Sequence, residues 1–139
     1  MNDRAHLSYE IEDRVAFYDL DPMQIVWHGN YFHYFEDARR ALFAHRGIDL
    51  NEFFQRSQCL FPIIRTSTKH IYPLRYADVF ICKAALVEAK TKIVVDFEIR
   101  LKDSGKICTR GRTEQVTVKA PEMEIMFNIP DEIRRALGF

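Results

Sequence analysis

The chain has no surplus of either charge: Lys plus Arg number 20 and Asp plus Glu number 20 in 139 residues. A protein that neutralises a phosphate backbone normally carries a basic excess, so a nucleic-acid partner is not expected. Cysteine is scarce, with only Cys59, Cys82 and Cys108. None forms a CxxC pair, which excludes a zinc knuckle and a dense disulfide framework. The expectation is three reduced thiols, mostly buried, in a cytoplasmic protein. Long apolar runs are missing too. Nothing approaches the roughly 20 residues that span a bilayer, so no membrane partner is expected. The opening MNDRAHLSYE has no apolar stretch of the kind a signal peptide needs. No repeat, low-complexity tract or linker divides the chain. What remains is 47% hydrophobic and 29% charged, the balance of one globular domain that can bury a core without staples.

Hydrophobic periodicity then orders the elements. The first ten residues are polar and expected to fray, and residues 11–18 read as a short strand. Residues 30–46 predict the long helix. Tyr31, Tyr34, Phe35, Ala38, Leu42 and His45 recur at spacings of three and four, and Phe32 and Ala41 widen that face. His33, Glu36, Asp37, Arg39 and Arg40 cover the other side, with Glu36 and Arg40 spaced for an ion pair. Asn30 is placed to cap the start and Gly47 to end the helix in the left-handed region. Asp49 and Glu52 resemble a capping box opening a second helix over 50–56.

Beyond residue 59 the period becomes two. Strands are predicted over 60–72, where Pro62 marks an edge or bulge, and over 79–89, 91–102 and 106–119. In 91–102, Ile93, Val95, Phe97, Ile99 and Leu101 alternate with mostly charged residues. Residues 73–78 form a turn, Asp103-Ser104-Gly105 a hairpin connection, and Pro130 opens a terminal helix over 131–137. Successive strands after one helix predict an antiparallel sheet, and its apolar face needs a cover that only helix 30–46 is long enough to give. The fold class is α+β, an antiparallel sheet curved around one long helix. Its open edges favour a homodimer or homotetramer.

The segment FYDLDPMQIVWHGNYFHYFEDARR, residues 17–40, places two acids and a histidine just before that helix. Tyr18-Asp19-Leu20-Asp21, then Ile25-Val26-Trp27-His28-Gly29-Asn30-Tyr31, then Phe35-Glu36-Asp37-Ala38-Arg39 resemble the signature of hotdog-fold acyl-CoA thioesterases. The pattern looks most like the 4-hydroxybenzoyl-CoA thioesterase family. Pro73-Leu74-Arg75-Tyr76-Ala77-Asp78 and the Ile129-Pro130 ending fit as well, so the resemblance covers nearly the whole chain as one hotdog domain, 1–139. It implies a sheet wrapped around the helix, paired protomers with a continuous sheet, and two active sites at their interface. It implies an acyl-CoA substrate and neither metal nor cofactor. It maps the family aspartate to Asp21, and to His28 the residue whose backbone N–H polarises the thioester carbonyl. Gln24 departs from it, standing where many relatives carry glycine.

The residues suit that chemistry. Thioester hydrolysis needs a nucleophile or base and a site for the developing oxyanion. A helix start offers free N–H groups, and Gly29 lets a ligand approach the backbone. Asp21 is expected to attack the thioester carbon or to activate a water. Asp19 reads as a hydrogen-bond partner for the loop. Trp27, Asn30 and Tyr31 are candidate substrate contacts, though the aromatic run is expected to serve mainly as core. Ser67 and Thr68 are expected to face the partner's site across a dimer. Cations for the coenzyme A phosphates are among Arg65, Lys69, Arg75, Lys90, Lys92, Arg110 and Arg112. The alternatives are a hotdog protein that binds acyl-CoA or acyl-carrier-protein thioesters without cleaving them, an interaction module, and a dehydratase, which would leave Asp21 idle.

Overall fold

Alternation in the best-patterned strand has the predicted effect. Ile93, Val95, Phe97 and Ile99 are buried, while Asp96, Glu98 and Arg100 are only half-buried. In this computed structural model, which describes residues 7–139, the strand is the centre of a five-stranded sheet. The elements in chain order are β1 (Ser8–Arg14), α1 (Tyr31–His45), α2 (Leu50–Ser57), β2 (Cys59–Leu60), β3 (Ile63–His70), β4 (Val79–Glu88), β5 (Ile93–Leu101), β6 (Ile107–Gln115), β7 (Thr117–Lys119), β8 (Glu124–Met126) and α3 (Asp131–Ala136). The large sheet has the order β1-β4-β5-β6-β3, antiparallel throughout. A second sheet, β2-β7-β8, continues from one end of the β3–β6 pair.

Helix α1 supplies the predicted cover. Tyr31, Tyr34, Phe35, Ala38 and Leu42 are buried. The Phe35 ring stacks on Phe97 of β5 with centroids 4.6 Å apart. Opposite Phe97 in the register is Gly111 of β6. A Cβ there would lie 2.5 Å from the Phe35 ring and 3.2 Å from the Ser67 carbonyl oxygen, so glycine leaves the room the ring fills. The helix ends as predicted. Gly47 has φ +76°, the Gly47 N–H donates to Ala44 O and the Ile48 N–H to Phe43 O, both characteristic of a Schellman ending.

Several expectations need correction. The first strand lies at 8–14, earlier than 11–18, because residues 17–19 wind into a 3-10 turn instead. The expectation of fraying for residues 1–6 lies outside the described residues. Asn30 does not cap α1: its backbone is already helical, and its side chain donates to Asp19 O at 2.9 Å. Arg39 is not on the solvent face but 6% exposed, donating to Thr113 Oγ1 and pairing with Glu36, so the Glu36–Arg40 pair does not form. His45 leaves the apolar face for solvent, where its ring lies 4.7 Å from that of Tyr9, tilted by 31°. The predicted strand 106–119 is two strands in two sheets, and β8 lacked a period long enough to be read. Asp49 caps α2 by accepting from Asn51 N and Glu52 N, while Glu52 pairs with Arg56 rather than closing the box.

The outward face of the sheet carries cross-strand ion pairs: Arg112–Asp96, Arg110–Glu98, Lys92–Glu114, Arg100–Glu10 and Lys102–Glu12. Such pairs contribute at most about 1 kcal/mol each. They fix the polar side of the sheet more than they stabilise it. Strand β3 is the outer strand beyond β6, and all its residues but Thr68 are exposed. Among the described residues no helix is long and apolar enough to cross a membrane.

Candidate active site

The loop between β1 and α1 is organised by Asp19. Its carboxylate accepts from the Ala16 N–H at 3.0 Å and the Tyr34 hydroxyl at 2.8 Å. Its carbonyl accepts from the Trp27 N–H and the Asn30 side chain, both at 2.9 Å. Asp19 is therefore the structural residue it was expected to be. Burial, and then the bond to Asp19, push the Tyr34 hydroxyl far above its ordinary range, so it stays a donor. This hub suspends the 3-10 turn His28–Asn30 that leads into α1. Among the described residues the N–H groups of His28 and Gly29 have no acceptor in the chain, as expected at a helical start. Gly29 leaves the space that the Trp27 ring occupies: a Cβ there would fall 2.3 Å from that ring, which would have to swing aside.

Asp21 lies in a tight loop closed by the Leu20–Val26 bridge and by Asp21 N–H donating to Ile25 O at 2.8 Å. Its Oδ1 accepts from the Met23 N–H at 2.8 Å, which orients the carboxylate. It opens on a cavity of about 630 Å³ lined by Phe17, Leu20, Asp21, Gln24, Arg75 and Tyr76. Gln24 takes φ +65°, a conformation that favours glycine, and its side chain lines that cavity. Gln24→Gly is expected to raise stability by about 0.5–1 kcal/mol, because an L residue is strained there by more than glycine's extra chain entropy. Chemical denaturation checks this, and a loss of stability would mean that the Gln24 side chain holds the loop.

Further residues converge on the helix start. The Tyr31 hydroxyl accepts from the Leu74 N–H at 3.3 Å. Burial raises its pKa and the negative charge of Asp21 adds to the rise. The His70 ring, at the end of β3, packs 4.9 Å from the Tyr31 ring, and its Nδ1 lies 3.4 Å from Thr109 Oγ1. Burial, and then the charge of His28, hold the His70 imidazole below its ordinary value. The folded chain therefore binds this proton less readily than the unfolded one. The stability tied to neutral His70 is fully present above about pH 6.5 and is lost as pH falls toward the folded value. The effect is small because the ring is exposed. His70→Asn is expected to flatten the decline of the thermal midpoint between about pH 7 and about pH 5. An unchanged decline would assign it to other groups.

The charge of Asp21 reaches Tyr31 and that of His28 reaches His70, whose ring packs on Tyr31, with Gly29 and Asn30 in the turn that carries His28 into α1. Trp27 is 49% exposed and does not join the core, contrary to expectation. Ser67 and Thr68 are not brought to Asp21 within the protomer. They line a different cavity, of about 580 Å³, beside Lys69, Arg110 and Arg112. His70, Phe17 and Tyr76 were not singled out from the sequence. His70 ends a strand with no motif around it, and only the β3–β6 register sets it beside Thr109. Among the described residues no group of three or more His, Cys, Asp or Glu side chains is arranged to hold a metal ion.

An antiparallel sheet on one long helix, with an aspartate loop feeding the helix start, defines the hotdog class. The chain belongs to the Thioesterase-like superfamily, matching it over residues 15–137. Its fold is shared with a 1,4-dihydroxy-2-naphthoyl-CoA thioesterase from Synechocystis, at 18% identity and TM-score 0.86 over 94% of this chain and 95% of that one. It is shared with a 4-hydroxybenzoyl-CoA thioesterase variant complexed with 4-hydroxybenzoyl-CoA, at 18% identity and TM-score 0.84 over 94% and 99%. A gentisyl-coenzyme A thioesterase matches at 21% identity and TM-score 0.80 over 94% and 100%.

Proposed function

We propose that the protein hydrolyses acyl-coenzyme A thioesters of small or aromatic acids, releasing the acid and coenzyme A. The observation that carries this reading is the Asp21 carboxylate, oriented by the Met23 N–H and open to a cavity, in the same loop whose end, the His28–Asn30 turn, starts with N–H groups that have no acceptor among the described residues. Asp21 attacks the thioester carbon or activates a water that does, and the N–H groups at His28 and Gly29 receive the developing oxyanion. Trp27, Asn30 and Tyr31 border the reacting group. The three fold relatives described above are named for hydroxylated aromatic acyl-CoAs, which supports an aromatic acid here.

The coenzyme A phosphates need cations. Lys92, Arg110 and Arg112 are paired with acids of neighbouring strands. Arg65, Lys69, Arg75 and Lys90 form no ion pair among the described residues, and Arg75 lines the Asp21 cavity. These four are the proposed phosphate contacts. The buried thiols suit a reducing cytoplasm. The free edge of β3 suits a homodimer, whose own pairing yields a tetramer or stops there.

A second reading, a protein that holds acyl-CoA or carrier-protein thioesters without cleaving them, is favoured by the Gln24 side chain in the cavity. Coenzyme A release from short, long-chain and aromatic acyl-CoAs separates the two. Turnover is the expected result. A folded protein that binds these thioesters and releases nothing would establish the second reading.

A further inference from the structure

Burial in β6 favours valine at position 109, yet a threonine stands there at 0% exposure. Valine has nearly the same shape and no hydroxyl to satisfy. The Thr109 hydroxyl has two polar neighbours. One is His70 Nδ1, 3.4 Å away across the β3–β6 register. The other is the hydroxyl of Tyr31, itself 3% exposed. Burial raises the Tyr31 pKa, and hydrogen bonds with the Leu74 N–H and the Thr109 side chain hold it back. The direction of donation follows from the protons at hand. The Tyr31 oxygen accepts from the Leu74 N–H at 3.3 Å. Its own proton then goes to Thr109 Oγ1, and the Thr109 proton goes to His70 Nδ1. The opposite direction would leave the buried Tyr31 proton without an acceptor, which is costly.

The bonds continue past Leu74, which is fully buried. Its carbonyl accepts from the Val26 N–H at 2.9 Å. The next residue, Arg75, bridges to Ile25, and Ile25 O accepts from the Asp21 N–H at 2.8 Å. The Asp21 loop therefore hangs on residues 74 and 75, and the Leu74 N–H hangs on the Tyr31 hydroxyl. Tyr31 is also the first residue of α1, directly after the His28–Asn30 turn. One side chain thus ties the loop that carries the carboxylate to the helix start that offers free N–H groups. At the other end, His70 closes the chain only as a neutral ring with its proton on Nε2. Burial and the charge of His28 favour that neutral form.

We propose that Tyr31, Thr109 and His70 are positioning residues. Their chain of hydrogen bonds fixes Leu74, and through it holds the Asp21 carboxylate in register with the N–H groups of His28 and Gly29. The two hydroxyls and the Nδ1 atom touch no reacting atom. They act on the distance between the group that attacks and the groups that receive the oxyanion, where a small displacement costs much of the rate. This rests on the thioesterase reading above.

The test removes the middle hydroxyl with Thr109→Val and restores it with Thr109→Ser. On the acyl-CoA that wild type turns over fastest, Thr109→Val is expected to lower kcat by about 10- to 100-fold and to leave KM within about twofold. Thr109→Ser is expected to recover most of the loss. Tyr31→Phe, which keeps the ring against His70 and Tyr34 and breaks the chain at its other hydroxyl, replaces Thr109→Val should that variant fold poorly. Amide hydrogen exchange reads the same link without substrate. The Asp21 and Val26 N–H groups are expected to exchange about tenfold faster in Thr109→Val, while the amides shared by β4 and β5 keep their wild-type rates. A threonine that only packs the sheet would loosen β5 and β6 and spare the loop. Wild-type kcat in Thr109→Val overturns the inference, as do unchanged exchange at Asp21 and Val26 or a Thr109→Ser as slow as Thr109→Val. Each of these leaves the hydrolase reading standing. No turnover of any acyl-CoA by wild type overturns the hydrolase reading, and the exchange rates then decide by themselves whether the chain holds the loop.

Discussion

Asp21→Asn is expected to lower kcat/KM for thioester hydrolysis by about 10²- to 10⁴-fold while leaving the protein folded. Asparagine keeps a side-chain oxygen for the Met23 N–H, so the loop that closes through Ile25 O retains its bonds. What disappears is the charge, which both a nucleophile and a general base require. Coenzyme A release and the thermal midpoint, measured on the same preparations, separate lost chemistry from lost structure. Turnover that survives the change would remove Asp21 from the reaction and turn attention to His28, whose imidazole neighbours the same helix start. Single turnover in ¹⁸O water then tests the nucleophilic route. Label in Asp21 identifies a nucleophilic carboxylate whose anhydride water opens at the Asp21 carbon; a general base, or an anhydride opened at the acyl carbon, puts the label in the released acid alone.

The largest expected loss of stability comes from Phe35→Ala, about 3–5 kcal/mol. Phe35 is 1% exposed, lies flat on Phe97 at 4.6 Å and meets Phe32 edge-on at 5.8 Å. Its removal leaves a void on the seam between α1 and the sheet, and a domain of this size commonly has only about 5–15 kcal/mol in total. Urea denaturation reads the change, and a loss below about 1 kcal/mol would show that the seam repacks. Gly111→Ala disturbs the same seam from the strand side. The Ser67 carbonyl oxygen at 3.2 Å is backbone and cannot swing away as a side chain could. Combined with Phe35→Ala, the added methyl enters the vacated space, so the two losses are expected to sum to less than their parts.

How far the sequence led depends on which force decided each element. The alternation of residues 93–101 and the three-four spacing of α1 are burial patterns, and burial determined the outcome in both. Gly47 and Gly105 were legible because both turns take positive φ, where glycine is unstrained. Arg39 was misread because charge at a helix position argues for solvent. The Thr113 hydroxyl and Glu36 that meet it come from a distant strand and a rotamer choice that no local pattern reveals. The same applies to Asn30, whose partner Asp19 lies 11 residues earlier in a loop without periodicity. At the site, the aspartate loop was legible through its motif. His70 is set beside Thr109 by the β3–β6 register and so appears at the site only in three dimensions.

The three cysteines become informative once their places are known. Cys59, Cys82 and Cys108 are 4%, 0% and 0% exposed, and they stand in β2, β4 and β6. Burial pushes the Cys82 thiol up to about 12 and raises that of Cys108. Alkylating reagents react with thiolates, so the native protein is nearly inert to them. The chain therefore carries built-in reporters of its own breathing. Cys59 belongs to the short three-stranded sheet, held by only two register pairs to β7, and reports local opening of that sheet. Cys82, whose Sγ lies 3.8 Å from the Tyr34 carbonyl oxygen, becomes reactive when α1 parts from the large sheet.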